Sequence, residues 1–178
     1  EGWRIGEAAR VLAEAEVTAP EDAQGLVGML VEATRASETT TVGALLDQAF
    51  AVMAVERALE DVVAPYLRWV GDAWHAGEIS VAQEHAVSAK VKARLYSMLA
   101  DDAKGTRGTV VLACAPGEQH ELGLLMLAVL LWGDGWRVEF LGADTPVEHA
   151  VGFAESVGAD VLCISAGVEE AVRRLREG

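Results

Sequence analysis

The apolar positions of this 178-residue chain change their spacing once along its length. Between residues 21 and 103 they recur every three or four residues, which is the period of a helix that buries one face. After residue 108, short continuous apolar runs alternate with helical stretches, as in a parallel α/β sheet. The pattern predicts a helical domain followed by an α/β domain.

The helical part divides into four predicted segments, which together form a helix bundle. The first two are separated by a break and cap at 37–40. A third helix is predicted over 56–75, kinked or divided by Pro65, and a fourth over 81–99. The apolar stripes expected in the core are Leu26, Met29, Leu30 and Ala33 in the first helix, and Val42, Leu45, Leu46, Ala49, Phe50 and Met53 in the second.

The α/β part is predicted to begin after a polar linker at 101–108. The elements expected there are strands at 109–114, 136–141 and 161–165, and helices at 120–132, 147–157 and 168–176. The resulting domain division is a tail of an upstream domain with a linker at 1–20, a four-helix bundle at 21–103, and a Rossmann-like parallel-sheet domain at 108–178.

Composition narrows the classes of protein to consider. The net charge of -14 and the pI near 4.6 mean that phosphates repel this segment, so we do not expect it to bind DNA by itself. Its apolar runs are shorter than the roughly 20 residues that span a bilayer, and no secretory signal pattern is visible. Cys114 and Cys163 lie in predicted strands, which favours a reducing compartment and hence the cytoplasm. No P-loop, Gly-x-Gly-x-x-Gly motif or catalytic triad is present, so we expect no enzyme.

One histidine stands where α/β folds bind ligands. His120 lies between a predicted strand and the apolar helix that follows, at the carboxyl edge of the sheet. Glu118 is placed to hold one ring nitrogen, which turns the other toward a metal. Gly123 lets a bulky group approach the backbone. The alternative interpretation is a surface histidine that caps a helix.

A second group of residues is predicted at one end of the bundle. Gly77 ends the third helix, and Ser80 with Gln83 forms a capping box that starts the fourth. The indole of Trp74 at this end offers a flat apolar lid, and the carboxylate of Glu84 can accept hydrogen bonds from sugar hydroxyls. The four residues that the short turn brings to this end are Trp74, His75, Glu84 and His85. The alternative for His75 is a solvated residue that favours the helix dipole.

The sequence Glu118-x-His120-x-x-Gly123 resembles the Asp/Glu-x-His-x-x-Gly signature of cobalamin (vitamin B12) binding domains. In that family the histidine replaces the cofactor's own base as the lower ligand of cobalt. The resemblance therefore implies this role for His120, with Glu118 as the residue that orients it.

Two further loops resemble this family. Asp144 and Thr145 lie in the loop after the second strand, which the resemblance places near the corrin, although capping of the helix at Pro146 explains them nearly as well. Ser165 stands where the family has a Ser-x-Leu/Val segment, so it is implied to bond the cofactor's buried base. Gly167 departs from that pattern.

The spacing Trp74-x9-Glu84-His85 is similar to that of CarH-type photoreceptors, also called LitR, which are light-responsive repressors that use adenosylcobalamin. The resemblance implies that the bundle encloses the 5'-deoxyadenosyl group, with Trp74 beside it and Val81, Glu84 and His85 lining its pocket. It also implies that His75 takes the upper cobalt position after light has expelled the adenosyl group.

The resemblance implies the light-sensing, adenosylcobalamin-binding module of a transcriptional repressor. The expected partners are further copies of the same chain, in a dark tetramer or dimer of dimers that light dissociates. DNA would be bound only through an upstream domain, and no membrane is expected. Residues 1–12 resemble the end of a MerR-type winged-helix domain, and three strands against the family's five suggest an incomplete α/β domain. Two alternatives remain open: a corrinoid carrier for methyl transfer, or a cobalamin photosensor fused to a non-DNA output domain. His149 receives no role.

Overall fold

The computed structural model describes residues 23–99, 105–167 and 171–173 of the chain. The tail predicted at 1–20, the first half of the linker at 101–108 and most of the helix at 168–176 lie outside the described residues. None of the helices within these ranges is long and apolar enough to cross a membrane.

The amino-terminal part is helical, as predicted. Its elements are α1 (Ala23–Arg35), α2 (Thr39–Val52), α3 (Val55–Ala58), a π-helical turn (Leu59–Val63), α4 (Ala64–His75) and α5 (Val81–Met98). Both predicted stripes supply core residues, because most of their members are buried; Met29, Phe50 and Met53 are partly exposed.

The kink predicted at Pro65 takes the form of the π-helical turn that directly precedes it. A proline lacks the amide donor of a regular helix, and its ring collides with the carbonyl four residues earlier. The N–H of Ala64 donates to the carbonyl of Leu59, five residues earlier, so the turn carries one additional residue. The chain stays helical through the proline.

A buried hydrogen bond links α1 to α4 inside the core. The hydroxyls of Thr34 and Tyr66 lie 2.6 Å apart, and Thr34 Oγ1 also donates to the carbonyl of Leu30 at 2.8 Å. Burial raises the pKa of Tyr66 to about 12, so its hydroxyl stays protonated and available for this bond. The pair satisfies polar atoms that would otherwise destabilise the core.

The second part has the predicted Rossmann-like α/β fold. Its elements are β1 (Gly108–Cys114), α6 (Leu122–Gly133), β2 (Trp136–Gly142), α7 (Val147–Ser156) and β3 (Val161–Ser165). The three strands are parallel, in the order β2-β1-β3. Because β1 lies in the middle, the loop that follows it is flanked by the loops that follow both other strands.

The contacts within the chain divide it between Gln83 and Glu84, whereas the sequence placed the change at 101–108. Two side-chain contacts join α5 to the α/β part. Tyr96 packs edge-on against Phe140 with ring centroids 5.8 Å apart, and Lys92 forms an ion pair with Glu121.

Candidate functional site

His120 lies in the loop between β1 and α6, at the carboxyl edge of the sheet. Its side chain is 80% exposed, whereas the neighbouring Glu118 side chain is 1% exposed. Glu118 Oε1 lies 2.7 Å from His120 Nδ1 and accepts the His120 backbone N–H at 2.8 Å. A carboxylate at Nδ1 favours the tautomer that carries the proton there, which leaves the lone pair on Nε2. The contact predicted between these two residues is therefore present.

The second oxygen of Glu118 holds the loop that follows β3. Glu118 Oε2 accepts the backbone N–H of Gly167 at 2.7 Å. A Cβ at position 167 would lie 3.2 Å from that oxygen, which is a tight approach. A larger residue at 167, as in the cobalamin-binding pattern, would require that oxygen to move by a few tenths of an ångström.

Glu121, which the sequence analysis did not single out, anchors the other flank of the loop. Its Oε2 accepts the N–H of Ala143 at 3.0 Å, and its Oε1 lies 2.7 Å from the ammonium of Lys92. Gly142 has φ +82°, which favours glycine, and a Cβ there would lie 2.8 Å from Glu121 Oε2 and would displace that oxygen. The signal in the sequence was a pair of acids, at 118 and 121, on either side of the histidine.

Asp144 and Thr145 hold the His120 loop from the side of β2. Asp144 has φ +50°; its Oδ1 accepts the N–H of Gly117 at 2.7 Å and its own N–H donates to the Glu118 carbonyl at 3.0 Å. The N–H of Thr145 donates to the carbonyl of Cys114 at 3.0 Å. The alternative role as a cap of α7 has no hydrogen bond to support it, because the helix starts at Val147 with Pro146 as its N-cap residue and without a side-chain cap bond. Their contact with a corrin stays a prediction.

Gly123 and Ser165 lie near the same edge of the sheet. Gly123 is exposed in the first turn of α6, and a Cβ there would meet no atom within 4 Å. Ser165 ends β3, and its carbonyl accepts the N–H of Ala115 at 2.8 Å. The Ser165 side chain is half-buried, and its predicted bond to the cofactor's base is untested.

Trp74 and His75 occupy the last turn of α4, as predicted. Their rings meet edge-on with centroids 4.6 Å apart, and Trp74 is 42% exposed. His75 Nδ1 lies 2.8 Å from the carbonyl of Gly71, which leaves its Nε2 directed away from the helix backbone. The helix ends at Gly77, whose φ of +73° confirms the predicted stop.

The predicted capping box at the start of α5 is confirmed. Gln83 Oε1 accepts the Ser80 N–H at 2.9 Å, and Ser80 Oγ accepts the Gln83 N–H at 3.2 Å. In the next turn, Glu84 accepts a hydrogen bond from Ser88 at 2.7 Å and has His85 Nε2 at 3.5 Å. Val81 is half-exposed at the start of the helix.

The thiol of Cys114 lies buried at the end of β1, beneath the His120 loop. Burial, together with the nearby carboxylates Glu118 and Glu121, raises its pKa to about 11. The thiol therefore stays protonated at neutral pH, which makes it a packing group and a poor metal ligand. Across the described ranges, no three His, Cys, Asp or Glu side chains cluster as a protein-built metal site requires.

Models of protein families identify the class of protein to which this fold and this loop belong. Two family models, both described as a B12 binding domain, match residues 26–97 and 108–177. Between them they cover most of the chain. The chain belongs to the B12-binding proteins and is a cobalamin-binding region like that of the CarH repressors.

The chain is also similar to two transcriptional repressors. The chain is 40% identical over 177 residues to the HTH-type transcriptional repressor CarH of Myxococcus xanthus, and 37% identical over 169 residues to the repressor CarA of the same organism. The matches cover 92% and 93% of this chain but 57% and 56% of the relatives. The chain thus spans just over half the length of the repressors that it matches.

Corrinoid proteins are also similar to the chain. The dimethylamine corrinoid protein 1 of Methanosarcina mazei is 25% identical over 156 residues, a match that covers 85% of this chain and 72% of that protein. The solved structure of the Methanosarcina barkeri monomethylamine corrinoid protein superposes with a TM-score of 0.68 at 20% identity, covering 88% of this chain and 76% of that one. This superposition supports the fold alone.

Proposed function

We propose that this chain is the light-sensing, adenosylcobalamin-binding module of a transcriptional repressor and not an enzyme. The observation that carries the proposal is the His120 imidazole, which is exposed at the sheet edge while Glu118 holds its Nδ1. When bound, adenosylcobalamin supplies a cobalt–carbon bond that light can break. The binding, orienting and ligating roles belong to residues of the chain.

The residues fit this cofactor because it brings its metal already coordinated by a macrocycle. Such a metal needs one axial nitrogen from the protein and no cluster of ligands. The exposed Nε2 of His120 is a suitable donor, and the open space outside Gly123 leaves the sheet edge accessible. We assign His120 as the lower ligand, with Glu118 fixing its tautomer.

The adenosyl contacts are assigned to the end of α4 and the start of α5. Trp74 offers an exposed indole face, and Val81 adds exposed apolar surface. Glu84 and His85 present a carboxylate and an imidazole, groups that bond ribose hydroxyls. His75 is the assigned upper ligand after illumination, since only its Nδ1 is engaged, by a backbone carbonyl.

The output is proposed to be a change of assembly. In the dark, contacts of the bound cofactor favour one arrangement of the module and a tetramer that holds DNA through another part of the whole protein, in the cytoplasm. Light removes those contacts and shifts the population toward dissociated chains. The two Myxococcus repressors, named as HTH-type, support this interpretation.

The first experiment is an absorption spectrum of the protein with adenosylcobalamin in the dark, repeated after green light. A dark spectrum in which a histidine replaces the cofactor's base, followed by irreversible conversion, is the expected result. A bound spectrum that does not change with light would favour the alternative of a corrinoid carrier for methyl transfer, and the similarity to the dimethylamine corrinoid protein would then count toward it. Absence of binding would contradict both functions.

Trp74→Ala is expected to weaken dark assembly. The substitution removes an indole that is 42% exposed, so the apo protein should lose little stability, whereas the adenosyl group loses its lid. Size-exclusion chromatography in the dark with adenosylcobalamin should show a smaller species than the wild type. Trp74→Phe, which keeps a flat ring, should restore part of the assembly; dark oligomers of normal size for Trp74→Ala would remove the assigned role.

His75→Ala is expected to shorten cofactor retention after illumination without changing dark binding. His75 is exposed, and its contacts among the described residues are with its own helix, the carbonyl of Gly71 and the ring of Trp74, so its loss should leave the fold intact. The measurement is cofactor release during dialysis after light, compared with His149→Ala, which removes an exposed histidine from α7. Equal retention by both variants would exclude His75 as the upper ligand.

A further inference from the structure

The loop that carries His120 is fastened on both flanks by carboxylates of its own residues. Glu118 bonds the N–H of Gly167 after β3, and Glu121 bonds the N–H of Ala143 after β2. Both side chains are shielded, with exposures of 1% and 12%. Glu121 also meets a charged group from outside the sheet, the ammonium of Lys92.

We propose that Lys92 and Glu121 form a positioning link through which helix α5 sets the conformation of the His120 loop. The Lys92 ammonium lies 2.7 Å from Glu121 Oε1, while Glu121 Oε2 holds Ala143. Glu121 directly follows His120, and its N–H donates to the Gln119 carbonyl at 3.1 Å. A displacement of the Glu121 side chain is therefore transmitted to the backbone on either side of the imidazole.

This proposal rests on the proposed function, in which the His120 imidazole is a cobalt ligand and its position therefore affects cofactor binding. Helix α5 also carries Glu84 and His85, which are assigned to the adenosyl pocket. One helix therefore bears contacts for the upper side of the cofactor and, through Lys92, the support of its lower ligand. A shift of α5 would therefore change the position of the His120 loop.

The environment of this ion pair separates it from ordinary surface pairs. The pair Arg107–Asp134 has side-chain exposures of 58% and 51%, and pairs exposed to this degree contribute little to stability. Glu121 is shielded, has both oxygens engaged, and lies close to Gly142, where a Cβ would come within 2.8 Å of its Oε2. Loss of Lys92 would leave a shielded carboxylate without its counter-charge, so the loop should rearrange.

Lys92→Met tests the link, with Lys90→Met as the matched control. Lys90 lies on the same helix, is exposed, and loses the same charge when replaced. The first readout is hydrogen exchange of the Ala143 amide in the apo protein, which should become about tenfold faster in Lys92→Met only. Lys92→Arg, which keeps the charge, should restore much of the protection.

The second readout is the axial nitrogen of cob(II)alamin, read by electron paramagnetic resonance. A single axial ¹⁴N splits the cobalt lines into triplets and ¹⁵N splits them into doublets, so ¹⁵N-labelled protein reports how much cofactor is bound through a protein nitrogen, which in the dark is assigned to His120. We expect Lys92→Met to lower that fraction several-fold. Glu121→Gln, which keeps an acceptor for Ala143, should do the same, and the double variant should be no worse than either single variant.

The outcomes separate the link from the proposed function. Triplets from the ¹⁵N-labelled wild type would mean that no protein nitrogen binds cobalt, which would overturn both. Wild-type doublets together with identical behaviour of Lys92→Met and Lys90→Met would overturn the link alone. Faster Ala143 exchange with an unchanged doublet fraction would make Lys92 a structural residue without a positioning role, which would also overturn the proposal.

Discussion

His120→Ala is expected to remove the lower ligand of the cofactor and to weaken cobalamin binding by about 100-fold or more. Loss of a residue that only orients a metal ligand already lowers metal affinity by about 10–100-fold, so loss of the ligand itself should cost at least as much. The imidazole is 80% exposed, so its removal opens no cavity. Glu118 keeps two backbone donors, from residues 120 and 167, and the expected cost to apo stability is only about 1 kcal/mol for the lost side-chain bond.

Two measurements check this result. Equilibrium titration with adenosylcobalamin in the dark gives the affinity, and the absorption spectrum shows whether cobalt retains an axial nitrogen. Gln119→Ala serves as the control, because it shortens an exposed side chain in the same loop. If His120→Ala bound the cofactor with the spectrum and affinity of Gln119→Ala, the assignment of His120 as a ligand would be refuted.

The sequence predicted most elements of the fold because their signals are local. Strand β3 has its predicted bounds, and β1 and β2 differ from prediction by one residue each. The helix predicted to start at 120 starts at Leu122, because Gln119 and Glu121 form a backbone hydrogen bond of the loop. The form of the kink near Pro65 was not predictable, since a π-helical turn depends on packing around it.

The candidate site was predictable only in part, for the same reason. The bond between Glu118 and His120 joins residues two apart, so spacing sufficed to expect it. The bonds from Glu118 to Gly167 and from Glu121 to Ala143 join residues 49 and 22 apart. They depend on β1 lying between its two neighbours, an order that periodicity does not encode. The acids at 118 and 121 and the glycines at 142 and 167 were the local traces of these bonds.

Glu118→Gln is expected to damage both the fold and the cofactor site, because this side chain is buried and acceptor-only. Oε1 accepts two N–H groups of His120, and Oε2 accepts the N–H of Gly167. A glutamine offers one oxygen and one NH2 group, so one of its ends must present donors to a donor. We expect the free energy of unfolding of the apo protein to fall by about 1–3 kcal/mol, the cost of a buried polar group left unpaired.

The effect on the cofactor should exceed the effect on stability if Glu118 also sets the tautomer of His120. Loss of the carboxylate lets the proton move from Nδ1 to Nε2, which blocks the donor atom, and disturbing such a partner typically costs about 10–100-fold in metal affinity. Chemical denaturation and dark titration with adenosylcobalamin measure the two effects separately. Glu148→Gln, which removes the same charge from an exposed position on α7, is the control. Binding as tight as that of Glu148→Gln, in a less stable Glu118→Gln protein, would limit Glu118 to a structural role, whereas weaker binding at temperatures where the variant is fully folded is the result that we expect.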